Sequence, residues 1–202
     1  RTQHTATLLA DGKVLIAGGQ AGTNGSQAIA SAEMYDPSTD KFTPTGTMLN
    51  LRGGHWATLL ADGRVLVEGC AIPCNSAIAE LYDPATKGFA DAGTPGAGGG
   101  AAALLANGKV LITGGEGPPN SSADLFDASS GFSATTFMNS TRLFHTATLM
   151  PDGGVLVAGG SNSTGTYLNT AEIYVYANGV FSDTGPVDSG RPNHTATLLP
   201  NG

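Results

Sequence analysis

The chain has 202 residues, 12% of them charged, with a net charge of −7 and 30 glycines. Nine scattered cationic residues in an acidic chain exclude nucleic acid and anionic membrane surfaces as partners, because both need basic patches. A hydrophobic fraction of 40% argues against disorder, and no apolar run approaches the roughly 20 residues of a membrane span, so no membrane insertion is expected. Glycine at about twice its ordinary usage, without a three-residue period, points to tight turns and closely packed strands. The Arg-Thr-Gln start, in place of Met, reads as a processed or excised end.

Taken in chain order, "HTATLL" from His4 alternates small polar and apolar residues and predicts a first strand. Asp11-Gly12 follows as a two-residue hairpin turn. "KVLIA" is a β-rich run covered on both faces, and it ends at Gly18-Gly19. After the loop "QAGTNGSQAIAS", "SAEMYDP" gives a third strand closed by an Asp-Pro turn. "KFTPTG" is a fourth strand, outermost because Pro is tolerated at a sheet edge. No stretch keeps helical periodicity for ten residues.

This order then repeats. Aligned on the His, the copies begin at His4, His55, Gly100, His145 and His194, spaced 51, 45, 45 and 49 residues apart, the range of propeller blades. Turns recur at Asp62-Gly63, Asn107-Gly108, Asp152-Gly153 and Asn201-Gly202, and glycine pairs at Gly114-Gly115 and Gly159-Gly160, with Gly69-Cys70 in the second copy. An acidic residue and an aromatic follow at Glu33/Tyr35, Glu80/Tyr82, Asp124/Phe126 and Glu172/Tyr174, then Phe42, Phe89, Phe132 and Phe181. The expected fold is all-β: four-stranded antiparallel blades over 1–50, 51–96, 97–141 and 142–190, with 191–202 supplying the first strand of a fifth.

Four apolar residues, a double glycine and two spaced aromatics resemble the kelch family, and "HTATLLADGKVLIAGG" is similar to bacterial kelch repeats. The resemblance covers essentially the whole chain and implies a kelch-type β-propeller with "HTATLL" lining its central channel. Kelch propellers usually close with about five to eight blades. Four blades and a spare strand therefore predict a piece of a larger propeller, or an assembly of chains through open edges, as in a homo-oligomer or a surface or filament subunit.

Labelling the strands of a blade A to D outward, the B–C and D–A connections share one face. The B–C loops differ between copies, as "AIPCNSAIA", "EGPPNSS" and "SNSTGTYLN" illustrate, and variable polar loops on a rigid scaffold are where recognition concentrates. Candidate binding residues on this face are Arg1, Arg52, Arg142 and Arg191, the inner-strand His4, His55, His145 and His194, and Asn24, Asn162 and Tyr167. A ring of His and Arg suits an anion or a metal. The competing reading is mechanical, each Arg and His tying blades together through backbone or through Glu33, Glu80 and Glu172. Repetition favours the mechanical reading, because active sites are asymmetric. The third copy, with Ala97 and Gly100, does without both residues.

Cys70 and Cys74, four apart, read as a local disulfide or as two free thiols; a metal site needs more ligands than this stretch offers. A disulfide places the chain in an oxidising compartment: secreted, periplasmic or cell-surface. The copper-radical oxidases, galactose and glyoxal oxidases, are also similar at the His, and that resemblance implies a copper-ligating Tyr-His pair. Here Gln3, Gly54, Phe144 and Asn193 precede the His residues, never Tyr. There is no GxSxG elbow, no HExxH and no isolated carboxylate pair. Sequons at Asn24, Asn120, Asn139, Asn162 and Asn193 arise easily in so polar a chain. The expectation is a non-catalytic protein- or glycan-binding scaffold without cofactor, copper entering only if the chain is part of an oxidase.

Overall fold

Each hairpin between the first two strands of a repeat is built alike. In the first, Gly12 N–H donates to Leu9 O at 3.0 Å, Leu9 N–H donates to Lys13 O at 2.8 Å, and Gly12 lies at φ +82°. The loop therefore has three residues, a type I turn closed by a left-handed glycine, in place of the two-residue turn expected from Asp-Gly. The Asp11 carboxylate decides this by accepting the Lys13 N–H at 3.1 Å, which fixes the turn one residue earlier. The same bonds recur at Leu60–Arg64, Leu105–Lys109 and Met150–Gly154.

The computed structural model describes residues 1–22, 27–69, 78–115 and 120–202. The first sheet runs β1 (Thr5–Leu8), β2 (Val14–Ala17), β5 (Ala32–Asp36), β6 (Lys41–Pro44), with a small hairpin β3 (Gln20–Ala21) and β4 (Gln27–Ala28) inserted between β2 and β5. The second comprises β7 (Trp56–Leu59), β8 (Val65–Glu68), β9 (Ala79–Asp83) and β10 (Gly88–Gly93). The third comprises β11 (Gly99–Leu104), β12 (Val110–Gly115), β13 (Ala123–Asp127) and β14 (Gly131–Ala134), and the fourth β15 (Thr146–Leu149), β16 (Val155–Ala158), β17 (Ala171–Val175) and β18 (Val180–Asp183). Each of these four sheets is an antiparallel meander in strand order A-B-C-D, and no helix occurs among the described residues.

The chain forms two compact units, Arg1–Thr94 and Pro95–Gly202, each holding two of these blades. In the first unit Leu15, Val65, Val67 and Tyr82 pack in one core; in the second Leu111, Val155, Val157, Tyr174 and Phe181 do so. Strands β8 and β12 are buried along their whole length, whereas β6 at the sheet edge is exposed throughout. Within each blade the repeated aromatics are cross-strand partners: Tyr35–Phe42, Tyr82–Phe89, Phe126–Phe132 and Tyr174–Phe181 have ring centroids 4.8–4.9 Å apart.

The fifth copy docks without completing a strand. Its turn forms, with Gly202 N–H donating to Leu199 O at 3.0 Å, and its start is tied to the fourth blade, Asn193 N–H donating to Phe144 O at 3.0 Å. Residues 195–199 are exposed and form no strand ladder.

Candidate functional site

The repeated arginines are the first candidates, and the structure takes two of them out of solvent. Arg52 and Arg142 are 0% and 1% exposed. Arg142 donates to Glu172 Oε1 through Nε and Nη2 at 3.1 and 3.0 Å, to Gly159 O at 2.9 Å and to Thr170 O at 2.8 Å. Arg52 does the same with Glu80 Oε1 at 3.1 and 2.8 Å, Gly69 O at 2.8 Å and Ile78 O. Each glutamate also accepts two backbone N–H groups of the incoming D–A connection, Leu49 and Asn50 for Glu80, Asn139 and Ser140 for Glu172. The arginine carbonyl meanwhile accepts from the preceding blade, Gly19 N–H reaching Arg52 O at 2.6 Å. Each of these arginines thus fastens its own blade by its side chain and the previous blade by its backbone. Arg1 makes a half-exposed version of the pair, 3.0 Å from Glu33, and Arg191 finds only Ser189. In the third blade Asp124 holds the backbone directly, accepting the Ala97 N–H at 2.5 Å.

The histidines carry a second tie. His55 Nε2 is hydrogen-bonded to Thr5 Oγ1 at 3.0 Å, His145 Nε2 to Thr113 Oγ1 at 2.8 Å, and His194 Nε2 to Thr146 Oγ1 at 3.1 Å, each reaching the preceding blade. Thr5 and Thr146 stand on the A strand opposite Ala17 and Ala158, whereas in the third blade the partners are exchanged, Ala101 facing Thr113. The hydroxyl has moved to the directly opposite residue and still meets the imidazole. Burial, reinforced by the neighbouring arginine, pushes His55 down to about 4 and His145 down to about 3, so both rings are neutral near pH 7. The glycine pairs make room for these rings: a Cβ on Gly18 would lie 2.7 Å from both His55 Cε1 and Arg52 O. His4 is exposed.

What remains accessible on this face is the residue just before each His. Gln3, Gly54, Phe144 and Asn193 are all exposed and all left-handed, at φ +52°, +73°, +56° and +53°. Neighbours are linked through their backbones, Gly54 N–H to Gln3 O at 2.9 Å in the first unit and Asn193 N–H to Phe144 O at 3.0 Å in the second. In the sequence these positions were notable for lacking tyrosine and, at Asn193, for a glycosylation sequon. The Gly and Asn among them were the available signal, since both residue types tolerate positive φ.

The B–C connections stand beside them. In the first blade the hairpin of β3 and β4 gains a third line of pairing from Thr2, opposite Gln20; in the fourth, Ser161 pairs with Tyr167 on one side and Leu143 on the other. Asn162 is spent on the loop itself, its Oδ1 accepting the Thr164 and Thr166 N–H groups at 3.1 and 2.9 Å. Tyr167 is 63% exposed and Phe144 50%. Asn24, Cys70 and Cys74 lie outside the described residues, so their expected roles have no structural counterpart here.

The match of the kelch motif to residues 1–49 falls on the first of these blades. The four-stranded antiparallel blades are those of a kelch-type β-propeller fold. Among solved structures it is similar to YjhT, at 15% identity and a TM-score of 0.74 over 96% of this chain and 73% of that one. It is also similar to a fungal alcohol oxidase of the AA5 family in complex with copper, at 19% identity and a TM-score of 0.55 over 94% of this chain and 54% of that one. At such identities the likeness establishes the fold alone, and the chain spans about half the length of the oxidase structure. No curated protein sequence matches it significantly.

The Nε2 atoms of His55, His145 and His194 are each taken by a threonine hydroxyl of the preceding blade. Among the described residues no three His, Cys, Asp or Glu side chains converge as a metal-ligand group. Among those residues, too, no helix is long and apolar enough to cross a membrane.

Proposed function

We propose that this kelch protein is a non-catalytic binding module, taking a protein or glycan on the face formed by its B–C and D–A connections. The observation that carries this reading is the contrast within a stretch of four residues. The Arg and His side chains at 52, 55, 142 and 145 are buried and make equivalent bonds in their blades. The residue before each His is exposed, held in a left-handed conformation that non-glycine residues adopt only at a cost, and different in every copy. A fixed frame presenting variable side chains is the arrangement of a recognition surface. In the second unit the exposed pair is aromatic, Phe144 and Tyr167, with the hydroxyl-rich loop of Thr164 and Thr166 beside it. Aromatic faces flanked by hydroxyls suit both glycan stacking and protein anchoring.

The test presents the purified chain to a glycan array and to a displayed peptide library, with Phe144→Gly and Tyr167→Ala as variants. Glycine favours the φ at 144, so that variant removes the ring without straining the fold. Binding at least tenfold weaker in both variants, with unchanged melting temperature, is the expected result. Binding that survives the double variant would remove this face from consideration.

A further inference from the structure

The outer flank of the first unit holds a cleft of about 240 Å³ between β5 and β6 of the first blade and the turn after β9 in the second. Three of the chain's four lysines, Lys13, Lys41 and Lys87, line it. Lys13 is already engaged, its Nζ 2.9 Å from Asp11 Oδ2. The other carboxylate of the lining, Asp36, accepts the Ser38 N–H and hydroxyl at 2.9 and 2.6 Å, and those bonds hold it below the usual carboxylate range. Among the described residues Lys41 and Lys87 form no ion pair within 4.0 Å. The cleft therefore carries two ammonium groups without a partner, in a chain whose net charge is −7.

The repeat supplies its own comparison. In the second unit Lys109 and Asp127 stand where Lys13 and Asp36 do, with 3.4 Å between them. The positions of Lys41 and Lys87, however, are taken by Gly131 and Gly179. The blade frame thus needs neither of the two unpaired lysines. Lys87 also sits at φ +55°, where the fourth blade uses glycine at φ +67°. What the fold uses at this position is the carbonyl: Lys87 O accepts the Gly46 N–H at 2.9 Å, a bond glycine makes equally well. A long cationic side chain on a left-handed backbone, with no packing role, indicates that the charge itself is what the position is for.

We propose that this cleft binds a phosphate monoester of a small molecule through Lys41 and Lys87. The three lysines of the lining outnumber its two carboxylates, Asp11 and Asp36, which favours an anion, and a phosphate offers three oxygens to Lys41, Lys87 and a neighbouring hydroxyl where a carboxylate offers two. A neutral donor adjoins them: Thr45 Oγ1 shares one hydrogen with Tyr82 OH at 2.7 Å, leaving the other to donate. Leu9, Met34 and Pro44 give the organic part an apolar wall. The volume equals about eight liquid waters, room for a phosphate on a small carbon skeleton. The proposal stands apart from the loop face and does not depend on it.

Amide chemical shifts of the ¹⁵N-labelled full chain, titrated with inorganic phosphate, glucose 6-phosphate, acetate and chloride at matched ionic strength, test this directly. Saturable shifts from both phosphates are expected at Lys41–Thr45 and Ala85–Gly88. They should weaken at least tenfold in the Lys41→Gly, Lys87→Gly double variant. Lys87→Gly copies the left-handed Gly179 of the fourth blade and should leave the melting temperature unchanged; it serves alone if the double variant does not fold. Equal affinity in the variants, or chloride reproducing the same shifts, overturns the site. Acetate binding as tightly as phosphate overturns the assignment of the anion.

Discussion

Replacing Arg52 with alanine tests whether the repeated arginine is a fastener and not a ligand contact. The side chain is fully buried and donates four hydrogen bonds, two to Glu80 Oε1, one to Gly69 O and one to Ile78 O, the 2.8 Å contact with Glu80 being also an ion pair. Its loss leaves the Glu80 carboxylate buried without its counter-charge and two carbonyls without their donor. Breaking one side of a buried pair costs about 3–5 kcal/mol. Glu80 keeps Leu49 N–H at 2.7 Å, Asn50 N–H at 3.1 Å and Asn50 Nδ2 at 3.1 Å, which places the expectation at the low end, about 3 kcal/mol. With a urea m-value of about 2 kcal/mol/M, the midpoint drops by about 1.5 M. Trp56, the chain's single tryptophan, lies on β7 of the same blade, so its fluorescence follows the unit in which the change is made. The third blade suggests a rescue: Arg52→Ala with Glu80→Asp recreates the Ala97 and Asp124 combination, in which a shorter carboxylate meets the backbone directly. The double variant should recover at least about 1 kcal/mol relative to the single one, a coupling within the ordinary range for contacting residues. A single variant losing less than about 1 kcal/mol, within the range of an exposed ion pair, would refute the fastening role.

Two further outcomes follow from the blade ties. His55 and His145 are neutral in the folded chain but take a proton near pH 6.5 when unfolded, so the unfolded state gains protons first as pH falls. Stability is therefore lost from about pH 6.5 downward, to about 4 for His55 and about 3 for His145, at up to about 1.4 kcal/mol per pH unit per residue. Melting temperatures between pH 7 and 4.5, above the range where most carboxylates titrate, check this; a flat profile contradicts it. The glycine argument is tested by Gly159→Ala beside Gly153→Ala. Both positions have positive φ, but only at Gly159 would the Cβ meet neighbours, Arg191 O and His194 Cε1, each at 2.8 Å. Gly153→Ala should cost about 1–2 kcal/mol from backbone conformation alone, and Gly159→Ala clearly more. Equal losses would show that close approach is not why glycine stands there.

Much of this molecule was legible in its sequence because the physics involved is local and repeated. Alternation in "HTATLL", the acidic-glycine turns, the double glycines and the paired aromatics each act over a few residues, and four copies in register leave one arrangement of strands. The repeated Arg, His and Glu positions were visible as well, and repetition favoured a mechanical role for them. The sequence did not show that Arg52 and Arg142 are sealed from solvent, because their burial comes from a connection folding over them and from glutamates about 30 residues away. Nor did it show the exchange of Ala101 and Thr113, which only cross-strand register can reveal.

By itself, then, the sequence determined the blade: which residues form strands, where the chain turns, and which positions every copy must keep. Tertiary structure alone decided which of those residues a partner could reach. It placed Gln3, Gly54, Phe144 and Asn193 on left-handed backbone at the surface, and it gathered Lys13, Lys41 and Lys87 from three separate segments into one cleft. Strand periodicity is set between neighbours along the chain, whereas exposure and charge clustering are set by packing between segments far apart in it. No pattern read along one strand contains that information.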